Sequence, residues 1–176
     1  MNNAHLFILC GEAFSGKSTL SKTIAEKYNA KIIGRDSVYF VLNESLALEE
    51  TPESDDPSLW SDLWPIAIQG VKNQLLLGNS VVFDDTVLFF KQREELRLIA
   101  EQCGVKCILI FLDISSKVRK ARKEENKITK QRHDVPSAWL ENDTKKMERP
   151  TEEELAIRYT EKNSIEDLLA EIDLNK

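Results

Sequence analysis

The stretch LCGEAFSGKST, residues 9–19, interrupts an apolar run with two glycines, a lysine and three hydroxyl side chains. Within it, GEAFSGKS (Gly11–Ser18) matches the P-loop pattern Gly-x-x-x-x-Gly-Lys-Ser. The two glycines permit backbone conformations in which successive N–H groups point inward and hold phosphate oxygens. A helix that begins at this turn adds the positive end of its dipole. The pattern therefore predicts a binding site for a nucleoside triphosphate.

The residues of this turn have different expected roles. Lys17 is expected to neutralise the β- and γ-phosphates, and the Ser18 hydroxyl is expected to bind the Mg²⁺ that bridges them. Thr19 is expected to support the start of the helix. Together with these three, the predicted nucleotide-binding residues are those of the turn itself: Gly11, Glu12, Ala13, Phe14, Ser15 and Gly16.

The remainder of the chain alternates strand and helix patterns, which is typical of an α/β domain with a mostly parallel sheet. The length of 176 residues suits a single domain, residues 1–176. Pro65 is expected to kink or interrupt the helix that contains it. Strands are predicted at 6–10, 31–34, 80–85, 105–113 and, briefly, 155–160. Helices are predicted at 16–28, 37–48, 57–77, 91–103, 136–147 and 164–172.

Composition narrows the class of protein. A hydrophobic fraction of 41% and a charged fraction of 31% are typical of a soluble protein. No apolar run approaches the roughly 20 residues of a membrane span, and the N-terminus does not resemble a secretory signal, so we expect a cytoplasmic protein with no membrane partner. Cys10, Cys103 and Cys107 form no Cys-x-x-Cys pair, which favours reduced core cysteines. The net charge of −6 argues against non-specific binding to polyanions.

Basic residues concentrate in one segment. Residues 117–132 contain eight Lys or Arg and two Glu, a local charge of +6, which leaves −12 for the other 160 residues. Such a run is ordinarily a solvated helix face. Beside a P-loop it also fits a lid that closes over the nucleotide and excludes water, with Arg119, Arg122 and Arg132 as its cations.

Carboxylates follow two of the predicted strands. Asp36 comes directly after the strand at 31–34, and Asp84 and Asp85 end the strand at 80–85. The carboxyl ends of parallel strands form the ligand-binding edge of an open α/β sheet, so these side chains are candidates for proton transfer and metal binding. Asp36 could instead cap the helix that follows, and one of the two neighbouring aspartates could be a plain loop residue.

The chain resembles the small P-loop kinases grouped with polynucleotide 5′-kinases and chloramphenicol phosphotransferases. The resemblance covers most of residues 6–154 and rests on GEAFSGKST, GRDS, FDDT, VRKAR and VPSAWLENDTKKMERPTEEE. It implies a three-layer P-loop NTPase fold of the nucleoside-kinase-like type, with a five-stranded mostly parallel sheet and a helical lid at about 115–150. It also implies Mg·ATP as the donor and O-phosphorylation of a hydroxyl.

The resemblance also implies residue roles. Asp36 takes the place of the proton-accepting aspartate, Asp85, with Asp84 beside it, that of the acceptor-side or metal-side carboxylate, and Arg119 and Arg122 those of the lid arginines that contact ATP. Polynucleotide-kinase-like members commonly have an arginine three residues after the catalytic aspartate. This chain has Tyr39 there, which makes a phosphorylated or polyanionic acceptor less expected.

Two further features bear on the acceptor. Trp60 and Trp64 lie one helical turn apart and either pack in the core or line an acceptor pocket. The residues that we assign to this pocket are Asp36, Tyr39, Trp60 and Asp85. The stretch from Glu44 to Asp56 holds six carboxylates and no base. It is either a solvated loop or an acidic border of that pocket.

The leading hypothesis is an ATP- and Mg²⁺-dependent kinase that phosphorylates a hydroxyl of a small molecule. One alternative is a polynucleotide or RNA 5′-hydroxyl kinase in which the basic lid contacts the strand. A second alternative is an ATP-binding switch protein without a small-molecule acceptor. Nucleic acid as a partner is possible in this interpretation but disfavoured by the acidic charge balance.

Overall fold

A computed structural model describes residues 4–46, 57–129 and 137–175. Residues 47–56 of the acidic stretch, together with Arg132 of the basic segment, lie outside these residues. The expectations attached to them therefore stay predictions.

The described residues form a five-stranded sheet in the order β2-β3-β1-β4-β5. All neighbouring strands are parallel, with Leu9 opposite Asp84 and Cys10 opposite Phe111. The predicted α/β class with a five-stranded parallel sheet is thus confirmed. The strands are β1 (His5–Cys10), β2 (Lys31–Ile33), β3 (Val81–Asp84), β4 (Lys106–Leu112) and β5 (Ile157–Tyr159).

The six predicted helices are present in the predicted order, with small shifts at their ends, and a further helix, Ser116–Thr129, forms within the basic segment. The second begins at Arg35 and not at Ser37, and the third runs through Pro65 without interruption. In the described part of the chain, none of the helices combines the length and the apolar character needed to cross a bilayer. The helices are α1 (Lys17–Tyr28), α2 (Arg35–Leu46), α3 (Pro57–Leu76), α4 (Phe90–Gln102), α5 (Ser116–Thr129), α6 (Ser137–Lys146) and α7 (Ile165–Leu174), with a short 3-10 turn at Glu152–Glu154.

Alternate side chains of the central strand enter two separate cores. Leu6 and Ile8 of β1 pack with α3 and α4 on one face of the sheet. Phe7 and Leu9 pack with α1 and α7 on the other face. Burial on both faces explains why the central strands read as continuous apolar runs, and it produces three layers.

The predicted site residues lie at the carboxyl edge of the parallel sheet. The loops after β1, β2 and β3 carry Gly11–Gly16, Gly34–Asp36 and Asp84–Thr86, and all three leave the same carboxyl edge of the sheet. Residues up to 75 positions apart in sequence (11 to 86) can therefore meet there without any further element. The predicted site residues share this edge.

Candidate active site

The P-loop joins β1 to α1 through left-handed backbone conformations. Gly16 has φ 103° and forms the N-cap of α1, and Phe14 has φ 61°. The loop is also held at its start, because Gly11 N donates to Thr86 O at 3.1 Å. A Cβ atom on Gly11 would lie 3.1 Å from both Cβ and O of Leu112, so glycine is needed for this close approach.

Lys17 lies inside the loop and contacts its backbone. The side chain is 8% exposed, and Nζ donates to Gly11 O at 2.8 Å and to Glu12 O at 2.9 Å. Ser15 Oγ is buried without a hydrogen-bond partner among the described residues. Buried polar groups are almost always paired, and an anionic oxygen would relieve this cost. The loop thus offers a buried ammonium and an unsatisfied hydroxyl.

Asp84, the last residue of β3, faces the helix that follows the P-loop. Its Oδ2 accepts a hydrogen bond from Ser21 Oγ at 3.0 Å. Ser21 Oγ also lies 3.1 Å from Ser18 O, as donor to that carbonyl. Ser21 therefore joins the turn that carries the predicted metal-binding Ser18 to the Asp84 carboxylate.

Asp85 is engaged by an arginine. Arg35 Nη2 lies 2.5 Å from Asp85 Oδ1, Arg35 Nε donates to Oδ2 at 2.7 Å, and Thr86 N donates to Oδ1 at 2.7 Å. Burial alone would raise the pKa of Asp85, but the hydrogen bonds and charge of Arg35 lower it below its ordinary value. With both oxygens occupied, Asp85 is poorly placed for the metal-side role that the sequence suggested.

Asp36 is the second residue of α2 and has a different environment. Its side chain is exposed to solvent and, within the described residues, makes no hydrogen bond or ion pair. No capping role is seen, since Ser37 Oγ makes the contacts at the helix start, donating to Gly34 O at 2.7 Å. Partial desolvation in the cleft raises the pKa of Asp36, and the charges of Asp85 and Asp84 raise it further against the opposing charges of Arg35 and Lys17.

The aromatic residues of α2 and α3 divide into two groups. Tyr39 is buried and stacks on Trp60, with ring centroids 5.7 Å apart. Trp60 is half-buried, and its carbonyl lies 3.4 Å from Arg35 Nη1. Trp64 packs edge-on against Phe83 of the core. Trp64 thus packs against the core, and the Arg35 guanidinium lies over its ring at 5.6 Å, so both tryptophans lie beside the Arg35–Asp85 pair.

We call α5 and α6 the lid helices, and both contact the P-loop. Arg119 Nη1 lies 2.9 Å from Glu12 Oε1, and Thr144 Oγ1 donates to the same oxygen. Arg122 Nη1 donates to Ser15 O at 2.7 Å and to Phe14 O at 3.2 Å. The two arginines named from the sequence are therefore brought to the loop, where they contact protein atoms.

A cavity of about 400 Å³ opens on the outer side of the P-loop. Arg122 and the start of α1 form one wall, and the connection between β5 and α7 forms another. The lining residues are Phe14, Ser15, Gly16, Thr19, Leu20, Arg122, Glu125, Asn126, Thr129, Tyr159 and Ile165. Its volume falls within the range of small-molecule binding sites.

No group of three or more His, Cys, Asp or Glu residues is arranged to hold a metal ion in residues 4–46, 57–129 and 137–175. The cysteines contribute no ligand set either. Burial raises the pKa of Cys10 to about 11, and its thiol donates to Val87 O at 3.3 Å.

Sequence reasoning missed Arg35, Asp143 and the role of the Glu12 side chain. Arg35 stands in the quoted GRDS motif, but nothing in the sequence indicates that it pairs with Asp85. Glu12 was predicted to contribute through its backbone, and its side chain was given no role. Asp143 of α6 is half-buried, and partial desolvation and Glu12 raise its pKa while Lys17 and Arg35 oppose the shift. Only contacts between distant segments identify these three.

Comparison with known proteins agrees with this geometry. Residues 6–150 match a family whose description is "AAA domain". The L-seryl-tRNA(Sec) kinase of Methanococcus maripaludis is 28% identical over 151 residues, 76% of this chain and 55% of that protein. The chain thus spans about half the length of this curated relative.

Solved structures share the fold along nearly the whole chain. A proposed kinase from Chloroflexus aurantiacus has a TM-score of 0.76 at 16% identity, covering 99% of this chain and 96% of that chain. The Mycobacterium tuberculosis APS kinase CysC in complex with AMPPNP and APS has a TM-score of 0.66 at 15% identity, covering 97% and 95%. The closer resemblance to polynucleotide 5′-kinases and chloramphenicol phosphotransferases stays a prediction. The chain belongs to the AAA domain family, with the α/β P-loop fold that it shares with these kinase structures.

Proposed function

We propose that the protein is a kinase that uses Mg·ATP to phosphorylate a hydroxyl group of an acceptor. The observation that carries the proposal is Asp36, a carboxylate without a hydrogen bond or ion pair among the described residues, at the same sheet edge as the P-loop lysine. A raised pKa in such a position is typical of a carboxylate that accepts a proton. A protein that only binds nucleotide has no need of this group.

The residues of the chain have separate tasks in this proposal. The loop N–H groups and Lys17 hold the phosphates, while Asp36 orients the acceptor hydroxyl and takes its proton. Arg119 and Arg122 stabilise the charge that spreads over the phosphoryl group. When bound, Mg·ATP supplies the phosphoryl group and a divalent charge that neutralises the phosphate oxygens.

For the metal side we propose Ser18 with Asp84, in place of the Asp85 that the sequence suggested. Asp84 is held by Ser21 on the helix that carries Ser18, whereas Asp85 already neutralises Arg35. The donor set fits Mg²⁺, which prefers hard oxygen ligands and keeps several waters. Asp85 then acts by fixing Arg35 next to Asp36.

The base of the nucleotide would lie in the 400 Å³ cavity beside Arg122. Its walls come from the P-loop end, the lid helix α5 and the residues after β5, so it continues outward from the phosphate loop. Planar guanidinium groups stack on aromatic rings, which gives Arg122 a contact to the base in addition to its bonds to the loop. ATP is the proposed donor because of the family resemblance.

For the acceptor we propose a small molecule with a free hydroxyl. Arg35 is neutralised by Asp85, and position 39 holds a buried tyrosine, so the described residues around Asp36 offer little to bind an acceptor phosphate. A hydroxyl carried by RNA is the second candidate, because the curated relative is a seryl-tRNA kinase. The net charge of −6 weighs against it.

Asp36→Asn tests the proton-accepting role. We expect phosphate transfer to fall by about 100-fold or more, as for loss of a general base, while the Kd of Mg·ATP measured by calorimetry changes little. Asp62→Asn on the exposed face of α3 is the control and should leave both quantities unchanged. Full activity in Asp36→Asn, or a collapse of ATP affinity, would contradict the role of Asp36.

The acceptor class is tested by a screen with labelled ATP. The panel spans nucleosides, aminoglycosides, phenicols, sugars, oligonucleotides with a 5′-hydroxyl and seryl-tRNA. Transfer to an RNA acceptor should fall steeply with salt, because phosphate contacts release counterions. Binding of ATP with no transfer to any member of the panel would favour the switch protein.

A further inference from the structure

The side chain of Glu12 in the P-loop contacts both lid helices, through Arg119 of α5 and Thr144 of α6. Glu12 is the second residue of the P-loop, where its backbone was expected to contribute to the phosphate cradle. Its Oε1 forms an ion pair with Arg119 Nη1 at 2.9 Å and accepts a hydrogen bond from Thr144 Oγ1. The side chains of Arg119 and Glu12 are 11% and 19% exposed. The contact is therefore a largely buried ion pair with a second donor, which differs from a loose surface pair.

The same residue also contacts the phosphate-binding lysine. Glu12 O accepts a hydrogen bond from Lys17 Nζ at 2.9 Å. Arg119 is held at a second point, where its Nε donates to Ile114 O at 3.2 Å. The guanidinium is thus fixed between the start of α5 and the P-loop, close to the ammonium that binds phosphates.

We propose that Glu12 is a positioning residue that holds Arg119 against the phosphate-binding loop, with Thr144 as its second hydrogen-bond donor. This proposal rests on the proposed phosphotransfer function. A long arginine side chain loses much rotamer freedom when it is ordered. Glu12 orders it before the nucleotide arrives, so the charge needed in the transition state is already in place.

The charges make a second consequence testable. A carboxylate beside the phosphate loop repels ATP unless a cation neutralises it, and Arg119 is the cation that pairs with Glu12. Removal of Arg119 alone should therefore weaken ATP binding for two reasons: the positive charge of Arg119 is lost, and the negative charge of Glu12 is no longer neutralised. Removal of both residues should relieve the second part. A residue that contacted substrate independently would not show this pattern.

The experiment is a double-mutant cycle with Glu12→Ala, Arg119→Ala and the double variant. The Kd of Mg·ATP is measured by calorimetry, and kcat with the best acceptor. We expect Glu12→Ala to lower kcat about tenfold with a Kd within about threefold of the wild type. Arg119→Ala should raise the Kd of Mg·ATP about tenfold. In the double variant the Kd should return to within about threefold of the wild-type value, while kcat should equal that of Arg119→Ala.

Two sets of results would overturn the proposal. Multiplicative losses of kcat in the double variant would mean that Glu12 acts independently of Arg119. A higher kcat or a tighter Kd in Glu12→Ala would mean that the pair inhibits the enzyme. If the alanine variant does not fold, Glu12→Gln and Arg119→Lys replace it, because both keep hydrogen-bonding groups of similar size.

A structural readout separates this proposal from the proposed function. In the nucleotide-free protein, Glu12→Ala should speed amide hydrogen exchange in α6, while the control Glu124→Ala should not. Glu124 forms an exposed pair with Lys127 on α5, the helix that carries Arg119, so it matches the loss of charge without contact to the P-loop. Unchanged exchange in Glu12→Ala would refute the contact. If no acceptor is ever phosphorylated, the proposed function fails. The Kd of Mg·ATP and the amide exchange rates in α6 still test the role of Glu12 in that case.

Discussion

Among single residues, Gly34 sets how closely the second strand approaches the third. A Cβ atom at this position would lie 2.1 Å from the carbonyl oxygen of Asp84, which is backbone and cannot swing away. Glycine therefore allows Arg35 and Asp36 to start a helix directly beside the Asp84–Asp85 pair. The GRDS motif thus has a steric requirement as well as a chemical one.

Gly34→Ala should destabilise the fold by about 1–3 kcal/mol, because overpacking forces the backbone of β2 or β3 to move. Gly70→Ala is the matched control. Its Cβ would meet Ile33 at an ordinary 3.8 Å inside α3, so it should stabilise by about 0.5–1 kcal/mol through helix propensity. Urea unfolding midpoints measure both. Equal effects of the two substitutions would show that the 2.1 Å contact is relieved without cost.

At the scale of elements, a buried ion pair fixes the segment that follows α6. Arg93 of α4 is 1% exposed, and its Nε and Nη2 donate to Glu154 at 2.6 and 2.9 Å. Arg93 Nη1 also donates to Glu148 O at 2.9 Å. One arginine therefore joins α4 to Glu148 and Glu154, the two ends of a segment that follows α6.

Glu154→Gln should cost about 3–5 kcal/mol at neutral pH, because it leaves the Arg93 charge buried without its partner. Burial alone would raise the pKa of Glu154, but the hydrogen bonds from Arg93 and Thr151 lower it below 4.5. The wild type therefore gains this stability above pH 4.5 and loses it as pH falls through the folded-state pKa. The difference between wild type and variant should narrow in acid.

Chemical unfolding at a series of pH values checks this prediction. Glu153→Gln in the same turn is the control, because Glu153 is exposed and its substitution should change the stability far less than Glu154→Gln does. A constant difference between wild type and Glu154→Gln down to low pH would show that ionisation of Glu154 does not stabilise the fold.

In the whole molecule, the nucleotide site is assembled from segments that leave one edge of the sheet. The P-loop follows β1, the Asp84–Thr86 turn follows β3, and the cavity beside Arg122 includes Tyr159 at the end of β5. A ligand that spans the loop and the cavity would therefore bind only when these segments are folded together. Binding and global stability are then linked.

Mg·ATP at 100 times its Kd should stabilise the fold by about 2.7 kcal/mol, which is about 5–10 °C in Tm for a chain of this size. Lys17→Ala should lose most of this shift because it removes the buried ammonium of the loop. Lys22→Ala, on the exposed side of α1, is the control and should retain it. Thermal unfolding with and without nucleotide makes the comparison, and a full shift in Lys17→Ala would place the nucleotide elsewhere.

Much of the fold was predictable because its signals are local. The P-loop spacing, the apolar runs of β1 and β4 and the alternation of strand and helix all lie within short windows of sequence. The order of the elements and the five-stranded parallel sheet followed from them. The start of α2 at Arg35 was missed, because only the contact of Gly34 with β3 shows where the chain turns.

The sequence by itself determined the P-loop, the strand and helix order, and the set of charged residues at the carboxyl edge of the sheet. The tertiary structure decided which charges pair: Arg35 with Asp85 across 50 positions, and Arg119 with Glu12. The physical reason is that pairing depends on distance and burial, which are set by packing between segments far apart in the chain. A carboxylate at the end of a strand becomes a candidate base or a structural counter-ion according to the cation that packing brings to it.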